Sequence, residues 1–103
     1  MAPEDAPRID WTRDDRRICR HVDAVSDPFP GATSTLAGQS VRVLGATTFP
    51  DVRIEDRVPG KVYRLFHGNP VVVCGTGLVL VTHLLDAVGK SLLPLTKLKV
   101  RFA

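Results

Sequence analysis

A five-residue segment, Pro28-Phe29-Pro30-Gly31-Ala32, constrains this chain more than any other part of it. Each proline fixes its own φ and holds the preceding residue in an extended conformation, so a helix cannot continue through Asp27. Gly31 permits a backbone bend that a side chain would forbid, and Phe29 supplies an aromatic side chain for burial. The segment predicts a rigid connector from a helix to a strand, with Phe29 as a plug at the junction.

The residues before this connector predict one amphipathic helix at about residues 13–25. Thr12, with Asp15 three positions later, is a variant of the capping box that starts helices. Apolar residues at helical spacing fall within about 60° of one another and form a stripe that we expect to dock on the rest of the domain. These residues are Ile18, Val22 and Val25.

From residue 33 onward the sequence predicts β structure, with short runs of Val, Leu and Thr between turn residues. The predicted strands are residues 33–36, 41–49, 61–66, 70–74 and 78–85. Several short strands joined by short turns favour a mainly β fold in a chain of this size. We predict a small, partly open, OB-like barrel of five strands at about residues 33–102, preceded by one helix.

The end of the chain carries a further β pattern. Residues 92–95 and 98–102 are candidates for a last edge strand. In the second range apolar and charged residues alternate, as in a strand with one buried face. The apolar members are Leu98, Val100 and Phe102, and the charged members are Lys99 and Arg101.

Length and composition bound the class of protein. A chain of 103 residues with 44% hydrophobic and 24% charged residues is typical of one globular domain. We place that domain at residues 9–103, after a flexible leader or linker end at residues 1–8. No apolar run approaches the roughly 20 residues that span a bilayer, and the start lacks a signal-peptide pattern, so we expect a cytoplasmic protein. The net charge of +3 is compatible with a nucleic-acid partner without requiring one.

The two cysteines, Cys19 and Cys74, have no ligand-like partners in the sequence, although His21 lies two positions after Cys19. Structural zinc normally requires four ligands in two close pairs. Cys19 falls on the predicted helix and Cys74 ends an apolar strand, where small buried thiols are common. We expect two reduced structural thiols and no metal, with a disulfide or a metal ligand as the alternatives.

Two patterns that often carry chemistry are better explained structurally. Gly75-Thr76-Gly77 follows an apolar strand, as a phosphate-binding loop does. It lacks a third glycine and continues into a β sequence, so we predict a hairpin turn. His21, His67 and His83 are scattered, with no carboxylate paired at a short spacing, which does not predict a general base.

Four short motifs occur in a recognisable order. They are Ile9-Asp10-Trp11-Thr12, Asp27-Pro28-Phe29-Pro30-Gly31-Ala32, Pro59-Gly60-Lys61-Val62 and Val73-Cys74-Gly75-Thr76-Gly77-Leu78. With the helix between the first two, this order resembles the C-terminal domain of folate-dependent formyltransferases, over about residues 8–84. That family includes methionyl-tRNA formyltransferase and the amino-sugar-nucleotide formyltransferases. The resemblance implies a small β-barrel that follows a catalytic domain and carries no catalytic residue.

The resemblance also implies a donor and partners. The formyl donor would be 10-formyltetrahydrofolate, bound outside this chain, and a formyltransferase catalytic domain in cis or in trans would be the partner. The barrel would then position the acceptor or stabilise the catalytic domain. The acceptor stays open between an aminoacyl-tRNA, an amino-sugar nucleotide and a carrier-bound amino acid.

One further segment has the same short sequence as part of the catalytic domain of that family. Formyltransferase catalytic domains carry Ser-Leu-Leu-Pro directly after a catalytic histidine, with an asparagine just before it. Here Ser91-Leu92-Leu93-Pro94 follows Val88-Gly89-Lys90, which contains neither residue. Without a base and an electrophilic stabiliser no acyl-transfer site can form, so we predict no catalytic residue in this chain.

Basic side chains are the candidate binding residues. They are Arg13, Arg16, Arg17 and Arg20 on the helix and Lys97, Lys99 and Arg101 in the tail. The resemblance implies that such charge serves an acceptor tRNA, because phosphate contacts supply affinity without sequence readout. The competing explanation is a solvated helix face, since Asp14, Asp15 and Asp23 dilute the positive charge.

Other classes of function stay open. A free-standing OB-like module that binds RNA or single-stranded DNA is the main alternative to an accessory domain. A self-contained enzyme is disfavoured because the sequence offers no pair of nucleophile and base. A homodimer formed through exposed sheet edges is compatible with the sequence.

Overall fold

The computed structural model describes residues 8–25, 31–50, 54, 57–86, 88–93 and 101–102. Within them the chain forms a helix followed by five strands. They are α1 (Asp15–Val25), β1 (Ala32–Leu36), β2 (Gln39–Phe49), β3 (Val62–Phe66), β4 (Asn69–Val73) and β5 (Leu78–Asp86). Each strand lies within two residues of its predicted bounds, because glycine turns leave little freedom in where a short apolar run begins and ends.

The strands form one antiparallel sheet in the order β1-β2-β5-β4-β3. Consecutive strands pair at β1–β2, β3–β4 and β4–β5, and β5 folds back to pair with β2 as well. The β2–β5 ladder runs from Val41 opposite Asp86 to Phe49 opposite Leu78, with a bulge at Gly45. In the described residues β1 and β3 do not pair with each other, so the sheet is not closed. These observations confirm the mainly β, partly open barrel.

A two-residue piece at the end of the chain bridges the two edges of the sheet. Phe102 pairs with Leu36 at the end of β1, and Arg101 pairs with Lys61 just before β3. The Phe102 N–H donates to the Gly60 carbonyl at 2.7 Å, and the Ala37 N–H donates to the Arg101 carbonyl at 3.2 Å. The predicted edge strand at 98–102 therefore contributes its last two residues to the barrel, while its residues 98–100 lie outside the described residues.

The main core lies between α1 and the inner face of the sheet. Ile18 and Val22 of the predicted apolar stripe are buried, and Val25 packs against the same core as a partly buried residue. Phe102 is fully buried there, with its ring centroid 5.1 Å from that of Trp11. The stripe predicted from helical spacing is thus the docking face of the helix.

The outer face of the sheet carries a second, smaller apolar cluster. Successive side chains of a strand point to opposite faces, so Val72 joins the main core while Val71 and Val73 join the outer cluster with Leu78. Ile54 and Phe49 pack against this cluster as partly buried residues. Because β4 and β5 are covered on both sides, they show continuous apolar runs where a half-exposed strand would alternate.

The start of α1 differs from the predicted capping box. The helix begins at Asp15, and the carboxylate of Asp14 accepts from the Arg17 N–H at 2.7 Å, the geometry of a helix N-cap. The Thr12 side chain instead donates to Asp10, which also accepts from the Thr12 N–H. The prediction that Thr12 caps a helix starting at residue 13 is wrong, because Asp10 captures Thr12 in a local turn.

The connector after α1 is described from Gly31 onward. Gly31 has a φ of +96°, and a Cβ atom there would lie 2.9 Å from Leu44 Cγ. Its N–H donates to the Val25 carbonyl at 2.8 Å, so the residue before β1 is held against the end of the helix. This confirms the bend predicted at Gly31. The predictions for Asp27, Pro28, Phe29 and Pro30, including the aromatic plug, lie outside the described residues.

The first described residues pair with the edge strand β1. Arg8 forms a parallel bridge with Thr33, and the Ile9 N–H donates to the Thr33 carbonyl at 2.9 Å. Arg8 was predicted to end a flexible leader, but its backbone belongs to the folded domain. Residues 1–7 lie outside the described residues.

Candidate functional site

A groove of about 440 Å³ lies beside the N-terminal half of α1. Most of its lining residues are basic or lie next to basic residues in the sequence. They are Arg8, Ile9, Asp10, Arg13, Arg17, Ile18, Arg20 and His21. The groove therefore sets four guanidinium groups against one carboxylate, so its lining carries an excess of positive charge.

The backbone that carries these side chains is anchored to the barrel at several points. Trp11 is buried and its Nε1–H donates to Ser34 Oγ at 3.1 Å. The β4–β5 turn holds the start of α1, because the Gly75 N–H donates to the Trp11 carbonyl and the Asp15 N–H donates to the Thr76 carbonyl, both at 2.9 Å. Anchoring on β1 and on this turn fixes where the helix starts and so where its arginines point.

Three of the four predicted helix arginines line the groove together. Arg17 and Arg20 lie three residues apart on α1, and Arg13 lies two residues before the start of the helix. Arg16 is exposed but is not among the lining residues. The geometry thus divides the strip proposed from sequence into a groove-lining set and one outlying arginine.

Ion pairs with neighbouring aspartates leave the groove's arginines accessible. Arg13 Nε lies 3.6 Å from Asp10 Oδ2, and Arg17 Nε lies 3.8 Å from Asp14 Oδ2, with all four side chains more than two-fifths exposed. Hydrogen bonds from the Thr12 side chain and backbone N–H lower the pKa of Asp10, with Arg13 adding to the effect. Exposed pairs of this kind contribute little free energy, so the aspartates hold these arginines only weakly.

His21 adds a polar group to the wall of the groove. Its Nε2 atom is buried and has no hydrogen-bond partner among the described residues. A buried polar atom without a partner is uncommon in folded proteins. Its place in the groove was not predicted, because the sequence shows only an isolated histidine.

A second, smaller pocket of about 170 Å³ is also lined by Arg8. Its lining residues are Arg8, Thr33, Ser34, Ser40, Val41 and Arg42. Sequence reasoning missed Arg8 and Arg42 as site residues. The available signal was the alternation of Val41, Arg42 and Val43, which places Arg42 on the outer face of β2.

The domain family is now decided by comparison with known proteins. A family model described as the formyl transferase C-terminal domain matches residues 2–98. The chain belongs to this family. The resemblance inferred from the four sequence motifs is confirmed.

The curated relatives of this formyltransferase C-terminal domain are longer proteins. The methionyl-tRNA formyltransferase of Ralstonia nicotianae is 38% identical over 92 residues, covering 89% of this chain and 27% of the relative. The methionyl-tRNA formyltransferase of Burkholderia multivorans is 34% identical over 84 residues, covering 82% and 25%. That of Delftia acidovorans is 33% identical over 85 residues, covering 82% and 26%. The chain thus spans about a quarter of the length of the curated relatives it matches.

The tail residues predicted to bind do not join the groove of this formyltransferase domain. Arg101 is exposed at the barrel closure, paired with Lys61, and is not among the groove's lining residues. Lys97 and Lys99 lie outside the described residues. The structure therefore brings together only the helix part of the predicted site.

The segment beginning at Ser91, which matches a short sequence of the family's catalytic domain, lies at the surface of this domain. Ser91 is exposed and forms a bridge with Leu85, and its Oγ accepts from the Leu93 N–H at 3.4 Å. Leu92 and Leu93 are partly buried against the main core, and Pro94 lies outside the described residues. These contacts explain the stretch by packing.

Other side chains of the described part of this domain show no grouping for metal binding. No helix of that part combines the length and apolar character needed to cross a bilayer.

The Gly75-Thr76-Gly77 segment is the β4–β5 turn, in which the Cys74 N–H donates to the Gly77 carbonyl at 3.2 Å. The hairpin predicted from the sequence is present, and it contacts the start of α1.

Both cysteines of the domain are free thiols held in protonated form. Burial, helped by the Asp15 and Asp23 carboxylates, raises the pKa of Cys19 to about 11. Burial, with Asp15 as the next contributor, raises the pKa of Cys74 to about 12. The thiolate is the reactive form, so neither cysteine is set up as a nucleophile.

We expect both thiols to react with iodoacetamide at pH 8 at least about a hundredfold more slowly than a free cysteine of pKa about 8.5. Folding raises both pKa values, so keeping the thiols protonated contributes to the free energy of unfolding. This contribution is complete below about pH 8.5 and is lost as the pH rises toward 11. Mass spectrometry of alkylation time courses measures the rates, with the protein in urea as the reactive control. Labelling of either native thiol at the free-cysteine rate would contradict this description.

Proposed function

We propose that this chain is the accessory domain of a 10-formyltetrahydrofolate-dependent formyltransferase and that it positions an acceptor tRNA. The observation that carries the proposal is the groove in which Arg13, Arg17 and Arg20 converge beside Arg8. The names of the curated relatives favour a tRNA acceptor over an amino-sugar nucleotide. The donor and the transfer chemistry belong, in this proposal, to a catalytic domain that precedes the barrel.

The chemistry of the groove supports recognition of phosphate in a nucleic-acid backbone. Guanidinium groups match phosphate oxygens with two parallel hydrogen bonds and keep their charge at all relevant pH values. Such contacts set the position and orientation of a nucleic acid without reading its bases. An accessory domain that holds a tRNA for a separate active site needs this kind of binding.

The first expected result is salt-dependent binding of a fluorescently labelled tRNA to this chain. The logarithm of the association constant should fall linearly with the logarithm of salt concentration, with each phosphate contact contributing about 0.7–0.9 to the slope. Replacing Arg13, Arg17 and Arg20 together with alanine should lower the slope by about 2–3 and weaken binding at every salt concentration. Fluorescence anisotropy at several salt concentrations measures both quantities.

The matched control is Arg16→Ala, which removes the same charge from the same helix outside the groove lining. It should change the slope by less than half as much as any single groove variant. Equal effects of Arg16→Ala and Arg17→Ala would show that only net charge matters and would remove the groove from the proposal. If a uridine diphosphate sugar binds the chain and the tRNA does not, the acceptor is a sugar nucleotide. If neither binds, the domain acts on its catalytic partner.

A further inference from the structure

The two pockets share one arginine. Arg8 lines both the α1 groove and the smaller pocket beside β1 and β2. The groove includes the Asp10 carboxylate, whereas the residues lining the smaller pocket include no acidic side chain. Positive charge therefore continues from the helix across Arg8 and onto the sheet.

The strand register places the residues of the smaller pocket in one row. Arg8 bridges Thr33 on β1, and Thr33 is paired with Arg42 on β2. Directly paired residues of neighbouring strands point to the same face of a sheet, and the next residues along, Ser34 and Val41, are buried. Arg8 and Arg42, both exposed, thus flank Thr33 on the outer face, with backbones about 10 Å apart across two strand spacings.

Hydroxyl groups complete the chemistry of this row. Thr33 and Ser40 are among the residues that line the pocket, and Ser40 is exposed two pairs further along the β1–β2 hairpin. Hydroxyl and guanidinium donors are the side-chain groups that contact phosphate in nucleic-acid complexes. Two pockets that share Arg8 and offer the same donor chemistry fit a ligand with successive phosphates.

We propose that Arg8, Arg42 and Ser40 form a second phosphate subsite and that one RNA strand runs from it across Arg8 into the α1 groove. The inference rests on the proposed function, and it adds residues of β2 and the path of the RNA strand. It also selects the class of ligand, because a phosphodiester chain engages both pockets while an isolated phosphate engages one. Arg8 is the residue common to both subsites.

The test compares labelled tRNA with inorganic phosphate on the 103-residue chain. Arg42→Ala should lower the salt slope for tRNA by about 0.7–0.9 and weaken binding about five- to tenfold at 0.1 M salt. It should leave phosphate binding in the α1 groove, followed by chemical-shift changes of residues on α1, unchanged. Arg42→Lys keeps the charge and should retain most of the slope.

The control is Arg64→Ala, an exposed strand arginine on β3, at the opposite edge of the sheet. It should leave the tRNA slope unchanged, and melting curves of all variants check that each is folded. If Arg42→Ala matches the wild type while the Arg13, Arg17 and Arg20 variant loses slope, the second subsite is overturned and the proposed function stands. If the wild-type chain binds no tRNA, both are overturned.

Discussion

Replacing Phe102 with alanine should lower the free energy of unfolding by about 3–5 kcal/mol. The Phe102 side chain is fully buried, and its ring packs against Trp11 with the centroids 5.1 Å apart. It occupies the core at the point where the end of the chain bridges the edges next to Leu36 and Lys61. Truncation leaves a cavity in the core where the end of the chain meets the sheet.

Urea denaturation followed by tryptophan fluorescence measures this loss, because Trp11 is the single tryptophan of the chain. The matched control is Phe66→Ala, in which the same atoms are removed from a side chain that is 38% exposed. The control should lose roughly half as much or less, since it buries less apolar surface. Equal losses in the two variants would contradict the role of Phe102 as the core residue of the closure.

Replacing Gly60 with alanine should cost about 2–5 kcal/mol. Gly60 has a φ of +94°, a conformation that costs an L-residue about 1–2 kcal/mol. Its added Cβ atom would lie 2.2 Å from the Phe102 carbonyl oxygen, a backbone atom that has to move. That displacement strains the hydrogen bond that the Phe102 N–H donates to the Gly60 carbonyl. Crowding of this type costs about 1–3 kcal/mol more.

Gly38→Ala separates the two contributions to the Gly60 result. Gly38 has a φ of +83°, and its added Cβ atom meets nothing within 4 Å. The control should therefore lose only the conformational part, about 1–2 kcal/mol. A Gly60 variant no less stable than the Gly38 variant in urea denaturation would show that the end of the chain shifts without cost, and the closure would then be loose.

Much of the fold was predictable because it depends on contiguous residues. Runs such as Val71-Val72-Val73 between turn residues predicted the strands, and Ile18 and Val22 at helical spacing predicted the buried face of α1. The start of the helix was not predictable in the same way. Thr12 and Asp14 are both good caps by residue type, and the contact between Thr12 and Asp10 decided which of them was used.

The candidate site was predictable only in part. The sequence predicted one solvent-facing strip of Arg13, Arg16, Arg17 and Arg20, and all of these except Arg16 line the groove. Arg16 was grouped with them because an isolated helix does not show which side faces a groove. Arg8 and Arg42 were missed because each stands in a stretch with another evident explanation, a leader and a solvent-facing strand position.

The sequence by itself determined the family, the strands and turns, and the apolar face of the helix. These properties follow from motif order and from short-range alternation of residue types. Only the tertiary structure decided that Arg8 lines two basic pockets and that Phe102 bridges the edges of the sheet. Both depend on pairing between residues far apart in the chain, Arg8 with Thr33 and Phe102 with Leu36. Such pairs are set by how the folded elements dock on one another, which no local sequence pattern encodes.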